Sequence, residues 1–371
     1  MYTIPEKDLN KFTELMIEKI ERIQNYPDTP WFSPRGNGLP QNLQGRVYHG
    51  INSFILNLLC DIKSYKTPAF MTFLQAKQEN LKIKKDETSF PVIYWNFTYR
   101  NAEGKKISKD EYEQLSASEK KECHITPYAK IYPVFNVEQT DFPEAFPERW
   151  KELLDRFKVP EIKDEKGMFS CPQLDRMITE KAWLCPIFTE LSDNAYYIPS
   201  KDEIHVPLKG QFKAGEDFYN TLLHEMGHST GSPDRLNREK GKRFGDEKYG
   251  REELVAEMTA AVSCQALGLP ARLQEDNAAY LKNWLEAITE DPMFLFTVLS
   301  DVGKAGNMIL EEVNKISLAQ EASKEDKLRQ PSPEVSIADS LPAKEEKKEN
   351  PLHLLPNQTI STRSVQLTLN F

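Results

Sequence analysis

The stretch TLLHEMGHSTG constrains this chain more than any other, because it sets His224 and His228 four residues apart with Glu225 beside the first. On an α-helix residues i and i+4 share a face, so the two imidazoles reach one point only if this stretch is helical. Zinc in catalytic sites is held by three protein side chains, with a fourth position left for water. A carboxylate next to the first ligand reaches that water from the side and accepts its proton during attack on a carbonyl, which is the chemistry of an HExxH helix. The bland alternative is an amphipathic helix that happens to carry two histidines. Against it stand Phe218, Leu222 and Leu223, which bury the helix, and Gly227, which leaves room for close packing. Downstream, YGREELVAEMTAA sets Glu253 and Glu257 four apart on a second helix. Either glutamate can complete the ligand set while the other orients a ligand histidine through its second ring nitrogen. We take Glu253 as the third ligand and Glu257 as the orienting carboxylate, and expect Glu252 to face solvent.

At 371 residues and 42.8 kDa the chain is long enough for two domains. Its 48 basic and 57 acidic residues leave a net charge of −9, which argues against a chain that coats nucleic acid or an anionic membrane along its whole length; any such surface is local. Five widely spread cysteines without a CxxC pair indicate neither a disulfide framework nor a zinc ribbon, and fit a reducing cytoplasm. The N-terminal stretch MYTIPEKDLNKFTELMIEKIERI breaks its apolar residues with charges, unlike a signal peptide, and INSFILNLLC is too short to span a bilayer. A cytoplasmic protein without a membrane partner is expected.

Periodicity predicts a helix over residues 5–25, a buried helix in HGINSFILNLLCDIK, a short helix in TPAFMTFLQAKQEN, and paired strands in FPVIYWNFTYR and KIYPVFNVEQ. Between the strands lies a charged, solvated excursion, EGKKISKDEYEQLSASEKKE. A second unit begins near DFPEAFPERW. In it AYYIPSKDEIHVP reads as a hairpin, followed by the HExxH helix and by further helices through DPMFLFTVLSDVGKAGNMILEEVNKI. An edge strand beside a metal can pair with an extended peptide. His205 on this hairpin is read as a packed strand residue rather than a fourth ligand, and Tyr196 and Tyr197 as core aromatics, the alternative being that either hydrogen-bonds a developing oxyanion. From Ser317 on, Lys, Glu, Ser, Pro and Gln dominate, the composition of a disordered tail. The expected fold class is α+β: a small mixed α/β domain over residues 1–145, a mainly helical metal-binding domain with a short sheet over 146–316, and the tail over 317–371.

In content, order and spacing, AYYIPSKDEIHVP, FYNTLLHEMGHSTGSPDRLNR, YGREELVAEMTAA and NAAYLKNWL resemble the zincin-like metallopeptidase domain of antirestriction proteins of the ArdC type, which are found on mobile elements. GLPQNLQGRVYHGIN, FMTFLQAKQENLKIKKDE, FPVIYWNF and PVFNVEQ resemble that family's N-terminal domain, which binds single-stranded DNA. The match departs at LKIKKDETS, where the family tends to a glycine-containing basic turn and this chain has Asp86 and Glu87. The resemblance implies an antirestriction or DNA-protection role such as conjugation calls for, a zinc cofactor, an unnamed protein substrate, and single-stranded DNA as partner. The alternative, from a different class, is a DNA-shielding protein whose zinc domain is structural. Glu225 separates the two, since a structural site has no need of a base beside an open coordination position. Single strands are held by basic grooves and aromatic faces. The first 135 residues hold 19 Lys and Arg against 16 Asp and Glu, so basic character is concentrated there. Arg35, Arg46, Lys82, Lys84 and Lys85 are the candidate phosphate contacts, with Tyr48, Tyr94 and Trp95 as stacking partners.

Outside the resemblance, the closing QLTLNF puts an apolar end after a charged tail, although exposed Leu367, Leu369 and Phe371 gain nothing in water. This hexapeptide resembles the short motif by which many bacterial replication and repair proteins hold the sliding clamp, with Gln366 bonding at the pocket rim and Leu369 and Phe371 filling apolar pockets. A strand docked back on a domain and a chance apolar terminus are the other readings. On the clamp reading, a peptide spanning residues 360–371 binds purified clamp at roughly tens of micromolar, and no binding there leaves a docked strand or a chance end. The Gln366→Ala, Leu369→Ala, Phe371→Ala peptide should bind about ten-fold more weakly or not at all; equal binding by both peptides removes the clamp reading.

Overall fold

The computed structural model describes residues 5–32, 38–48, 50–158, 162–239, 247–273 and 280–329. The first helix, α1 (Glu6–Asn25), buries Phe12, Met16, Ile20 and Ile23 as one stripe, and carries Glu6 and Asp8 in its first turn, where the helix dipole favours acids. The second, α2 (Ile51–Lys63), is buried almost all round, and its Asp61 takes the buried Lys19 ammonium of α1 at 2.5 Å. The TPAFMTFLQAKQEN segment holds a strand as well as the expected helix. Strand β2 (Ala69–Thr72) buries Ala69, Phe70 and Met71, and a capping box between Thr72 and Gln75 turns the chain into α3 (Phe73–Gln78).

Together with β1 (Gln41–Asn42), β3 (Phe90–Arg100), β4 (Lys106–Ile107) and β5 (His124–Asn136), β2 forms a five-stranded sheet in the order β1-β2-β5-β3-β4. β3 pairs antiparallel with β5 along its whole length, from Phe90↔Val134 to Arg100↔His124. The charged excursion folds as α4 (Lys109–Gln114) and α5 (Ala117–Glu122), which bury none of their residues. Each is held by a capping box, Ser108 with Glu111 and Ser116 with Glu119. The LKIKKDETS turn closes without glycine because Asp86 itself adopts φ 64°, a left-handed conformation that Asp tolerates better than most residues. Glu87 then accepts a hydrogen bond from Gln139 Nε2 at 2.7 Å.

Helices α6 (Phe142–Ala145), α7 (Pro147–Arg156) and α8 (Pro172–Thr179) lead to a second sheet of β6 (Ile187–Glu190), β7 (Tyr196–Ile198) and β8 (Glu203–Pro207), ordered β6-β8-β7. The expected β7–β8 hairpin is antiparallel, while β6 joins β8 in parallel and leaves β7 at the edge. Helices α9 (Gly215–Thr230), α10 (Glu247–Ala266), α11 (Leu281–Glu290) and α12 (Pro292–Arg329) follow. α12 runs past Ser317 into EASKEDKLR, whose Ala, Glu, Lys, Leu and Arg favour helix. Its Pro292–Ser317 part is long and apolar enough to cross a membrane, with a mean hydropathy of 1.2, and half of that window is buried inside the protein.

The larger of two hydrophobic clusters runs through both halves of the chain, and a smaller one gathers Met71, Leu81, Val137, Phe142 and Phe157. Phe12 of α1 meets Phe90 of β3 edge-on at 5.4 Å and Phe296 of α12 at 5.5 Å. Beyond its short pairing with β4 at Tyr99 and Arg100, no strand among the described residues pairs with the outer edge of β3, and Asn52 of α2 meets it at Ile93. Asn52 Oδ1 accepts from the Ile93 N–H at 2.8 Å, and its Nδ2 donates to the Ile93 carbonyl at 2.6 Å. Asn52→Ala strands two buried backbone groups and is expected to destabilise the protein by about 2–4 kcal/mol, measured as a lower urea midpoint at unchanged slope.

Candidate metal centre

α9 begins beside Phe169, where Gly215 is required because a Cβ would fall 2.4 Å from the Phe169 carbonyl oxygen. Phe218, Leu222, Leu223 and Met226 anchor the helix in the core. At Gly227 α10 crosses so closely that a Cβ would meet Ala256 Cα and O at 3.2 Å. This crossing carries the acids of α10 to the histidines of α9. His224 Nε2 and His228 Nε2 lie 3.1 Å apart, and Glu253 Oε2 stands 3.5 Å from the first and 3.4 Å from the second. One ligand atom from each of the three residues lies within 4.8 Å of the others. On their far sides, His224 Nδ1 faces Glu257 Oε2 at 3.5 Å and His228 Nδ1 faces Glu252 Oε1 at 3.4 Å. Each imidazole thus turns one nitrogen to the shared point and the other toward its own carboxylate.

Glu252 does not face solvent, as the sequence suggested; it is 4% exposed and held by Arg238 through Nη2 at 2.7 Å and Nε at 2.9 Å. Arg238 also donates to the Gly227 carbonyl and to Thr230 Oγ1, both at 2.8 Å. Glu257 accepts from the indole of the fully buried Trp31 at 3.0 Å. Sequence reasoning missed Trp31 and Arg238. Trp31 sits in a Pro-rich turn far upstream, and no local spacing ties either residue to the motif. Tyr249, one turn before Glu253, completes the surroundings: burial raises its pKa first, and the hydrogen-bonded Glu253 carboxylate raises it further.

Burial pulls the pKa of both histidines down in the metal-free protein, but the carboxylates outweigh it. Glu253 and Glu257 bring His224 to about 10, and Glu252 and Glu253 bring His228 to about 9. Against its own burial, Glu253 is held well below the usual carboxylate range by the two histidines, and Glu252 is held at about 2 by Arg238 and His228. Glu225 behaves differently: burial pushes it up, while the histidines and a hydrogen bond from the Tyr197 backbone pull the other way. A buried carboxylate with a raised proton affinity is suited to general-base work.

His205 stands outside this cluster, stacked between Phe188 and Tyr196 at 5.0 Å from each, with Nδ1 2.9 Å from Glu190. Tyr196 is 41% exposed rather than a core aromatic, and Tyr197 donates to Asp202 Oδ1 at 2.7 Å. Among the candidate DNA contacts, Arg46 and Tyr94 come together beside Tyr48. Tyr48 itself is a core ring, 6% exposed and edge-on to Phe70, so it offers no face to a base. Lys82, Lys84 and Lys85 are exposed on the separate turn bridged to Thr140, with Lys84 3.4 Å from Glu144. Arg35, the side chain of Trp95, and Gln366, Leu367, Leu369 and Phe371 lie outside the described residues.

Two histidines one helical turn apart, a carboxylate from the next helix and a buried glutamate beside the first histidine stand next to a short sheet, and residues 173–301 match the zincin-like metallopeptidase family. Residues 7–135 match the N-terminal domain of anti-restriction factor ArdC, so the chain belongs to the ArdC-type antirestriction family. It is similar to two crystal structures of antirestriction protein ArdC from plasmid R388, each 28% identical. The metal-free one has a TM-score of 0.60 and covers 82% of this chain and 98% of that one; the Mn(II)-bound one has 0.57, with 81% and 97%. DNA primase TraC of Escherichia coli is 28% identical over 81% of this chain, which spans 27% of the TraC length. An uncharacterized protein of Sinorhizobium fredii, y4eC, is 26% identical over 80% of this chain and 89% of its own length. The cofactor is a divalent metal, and zinc suits a donor set of two imidazoles and a carboxylate.

Metal uptake at His224 and His228 would compete with the proton affinity that the carboxylates raise on the two rings. Zinc affinity is therefore expected to rise with pH and to level off only near pH 10. The same shifts set the stability of the chelator-treated protein. The raised histidines contribute stability fully present below about pH 6.5 and lost as pH rises through 9 to 10, whereas lowered Glu252 contributes above about 4.5 and is lost as pH falls through 2. Competition with a chromophoric chelator should show His228→Ala without zinc, and Glu252→Gln and Trp31→Phe with about 10–100-fold weaker affinity. Unchanged affinity in Glu252→Gln removes its orienting role.

Proposed function

We propose that this protein binds single-stranded DNA through its N-terminal part and cleaves a partner protein at the metal centre, protecting the DNA of a mobile element in the cytoplasm. Its five free cysteines suit a reducing compartment. The DNA reading is supported by the ArdC N-terminal match and by relatives whose names concern antirestriction and DNA priming. The peptidase reading is carried by Glu225, a buried carboxylate beside the ligand cluster that the cluster itself does not use.

Zinc, when bound, polarises a peptide carbonyl and lowers the pKa of water. The chain does the rest. His224, His228 and Glu253 hold the ion, with Glu257 and Glu252 fixing the two rings from behind. Glu225 accepts a proton from the attacking water and passes it to the amine that leaves as the C–N bond breaks. The Tyr197 backbone hydrogen bond ties Glu225 to β7, the edge strand, whose outer side suits strand addition by an extended peptide. A shield with a purely structural metal needs none of this. Glu225→Gln is expected to keep its zinc and to cleave candidate partners about 100-fold or more slowly, with and without single-stranded DNA. Equal cleavage by the variant and the native protein would leave the metal centre structural.

A further inference from the structure

We propose that the outer half of the β3–β5 ribbon is a stacking platform for single-stranded DNA, on the one face where Tyr94, Tyr128 and Tyr132 stand among Arg100, His124 and Lys130. This deepens the DNA-binding reading above and rests on it. In an antiparallel pair, residues directly opposite share a face, and faces alternate along each strand. The register Val92↔Tyr132, Tyr94↔Lys130, Asn96↔Tyr128, Thr98↔Thr126 and Arg100↔His124 therefore assembles one face, and Phe97, Tyr99, Ile125, Ala129 and Ile131 take the other. The second face is apolar, and the charged excursion partly covers it by stacking Tyr112 on Tyr99 at 4.7 Å. The first is built of rings, hydroxyls, an amide and cations.

Side-chain contacts agree with this sorting. Tyr94 and Tyr132 meet edge-to-face at 5.4 Å, and the Lys130 ammonium lies 5.2 Å over the Tyr132 ring. Tyr128 is 45% exposed, and Arg100, His124 and Lys130 are exposed with it. Arg46 lies near enough to Tyr94 to act on its phenol, which extends the cationic surface at the inner end. None of the ten residues paired on this face is an acid, in a chain whose net charge is −9. From Tyr94 to Arg100 the strand rises about 20 Å, room for a few nucleotides. Unpaired bases present their faces to rings and their phosphates to cations without any readout of sequence, whereas a duplex hides those faces. The Lys82–Lys85 turn offers charge but no ring, and Lys84 is already engaged by Glu144.

The test is fluorescence anisotropy of the full-length protein with a labelled oligothymidylate. Tyr128→Ala should weaken binding about five-fold or more, and Tyr128→Ala with Tyr132→Ala further, while Tyr128→Phe binds as the native protein does because stacking does not use the hydroxyl. Lys130→Gln should flatten the salt dependence by about 0.7 in logarithmic slope. Phe97→Ala, on the opposite face, should change nothing. If the native protein binds no oligonucleotide, the DNA-binding reading falls and the platform with it. If it binds and the Tyr128 and Tyr132 variants match it, if Phe97→Ala weakens binding equally, or if duplex binds as tightly as single strand, the platform alone is overturned.

Discussion

The metal centre depends on how closely α9 and α10 approach at Gly227, where a Cβ would stand only 3.2 Å from Ala256 and force a small shift. Three acids of α10 are useful to the site only because this gap is closed. Glu253 then reaches both Nε2 atoms, while Glu252 and Glu257 reach the two Nδ1 atoms. Arg238 staples the crossing by binding the Gly227 carbonyl of one helix and the Glu252 carboxylate of the other. A ligand set spread over two helices is only as accurate as their packing, and here a side-chain fork adds to the packing.

Charge makes the same arrangement self-consistent. Glu225, Glu252, Glu253 and Glu257 are all buried, an expensive grouping unless cations compensate it. Arg238 answers Glu252, and the remaining acids raise the proton affinity of the two histidines. A divalent ion held by both Nε2 atoms and Glu253 would supply the same compensation. The pocket is thus built to be completed by a cation, while Glu225 keeps a raised proton affinity of its own.

The N-terminal half of the chain takes part in this. Trp31 donates to Glu257, its backbone N–H donates to the Ala271 carbonyl at 2.6 Å, and Phe32 pairs with Ala271 and packs edge-on against Phe54 of α2. The carboxylate behind His224 is therefore oriented by the part of the chain that matches the ArdC N-terminal domain. Removing that part would take the Trp31 hydrogen bond from Glu257. Elements of the ArdC-like N-terminal part and of the zincin-like part share the larger hydrophobic cluster.

Much of this was legible locally. The i, i+4 spacing of His224 and His228, the pair Glu253 and Glu257, and the alternation of FPVIYWNFTYR are properties of short segments, because helix and strand periods follow from backbone geometry alone. The S-x-x-E pairs that cap α4 and α5 are equally local, although the excursion was read only as solvated charge. Strands β2 and β6 were not legible: four residues each, they lack an alternation long enough to register, and they exist because a neighbouring strand pairs with them. Nor was the burial of Glu252, since a helix wheel cannot say how wide a face its partner will cover. What the sequence by itself determined is which residues can share a face. Which carboxylate meets which ring nitrogen was decided by the tertiary structure, because Trp31, Gly227, Arg238 and the acids of α10 come from separate segments whose distances only packing sets.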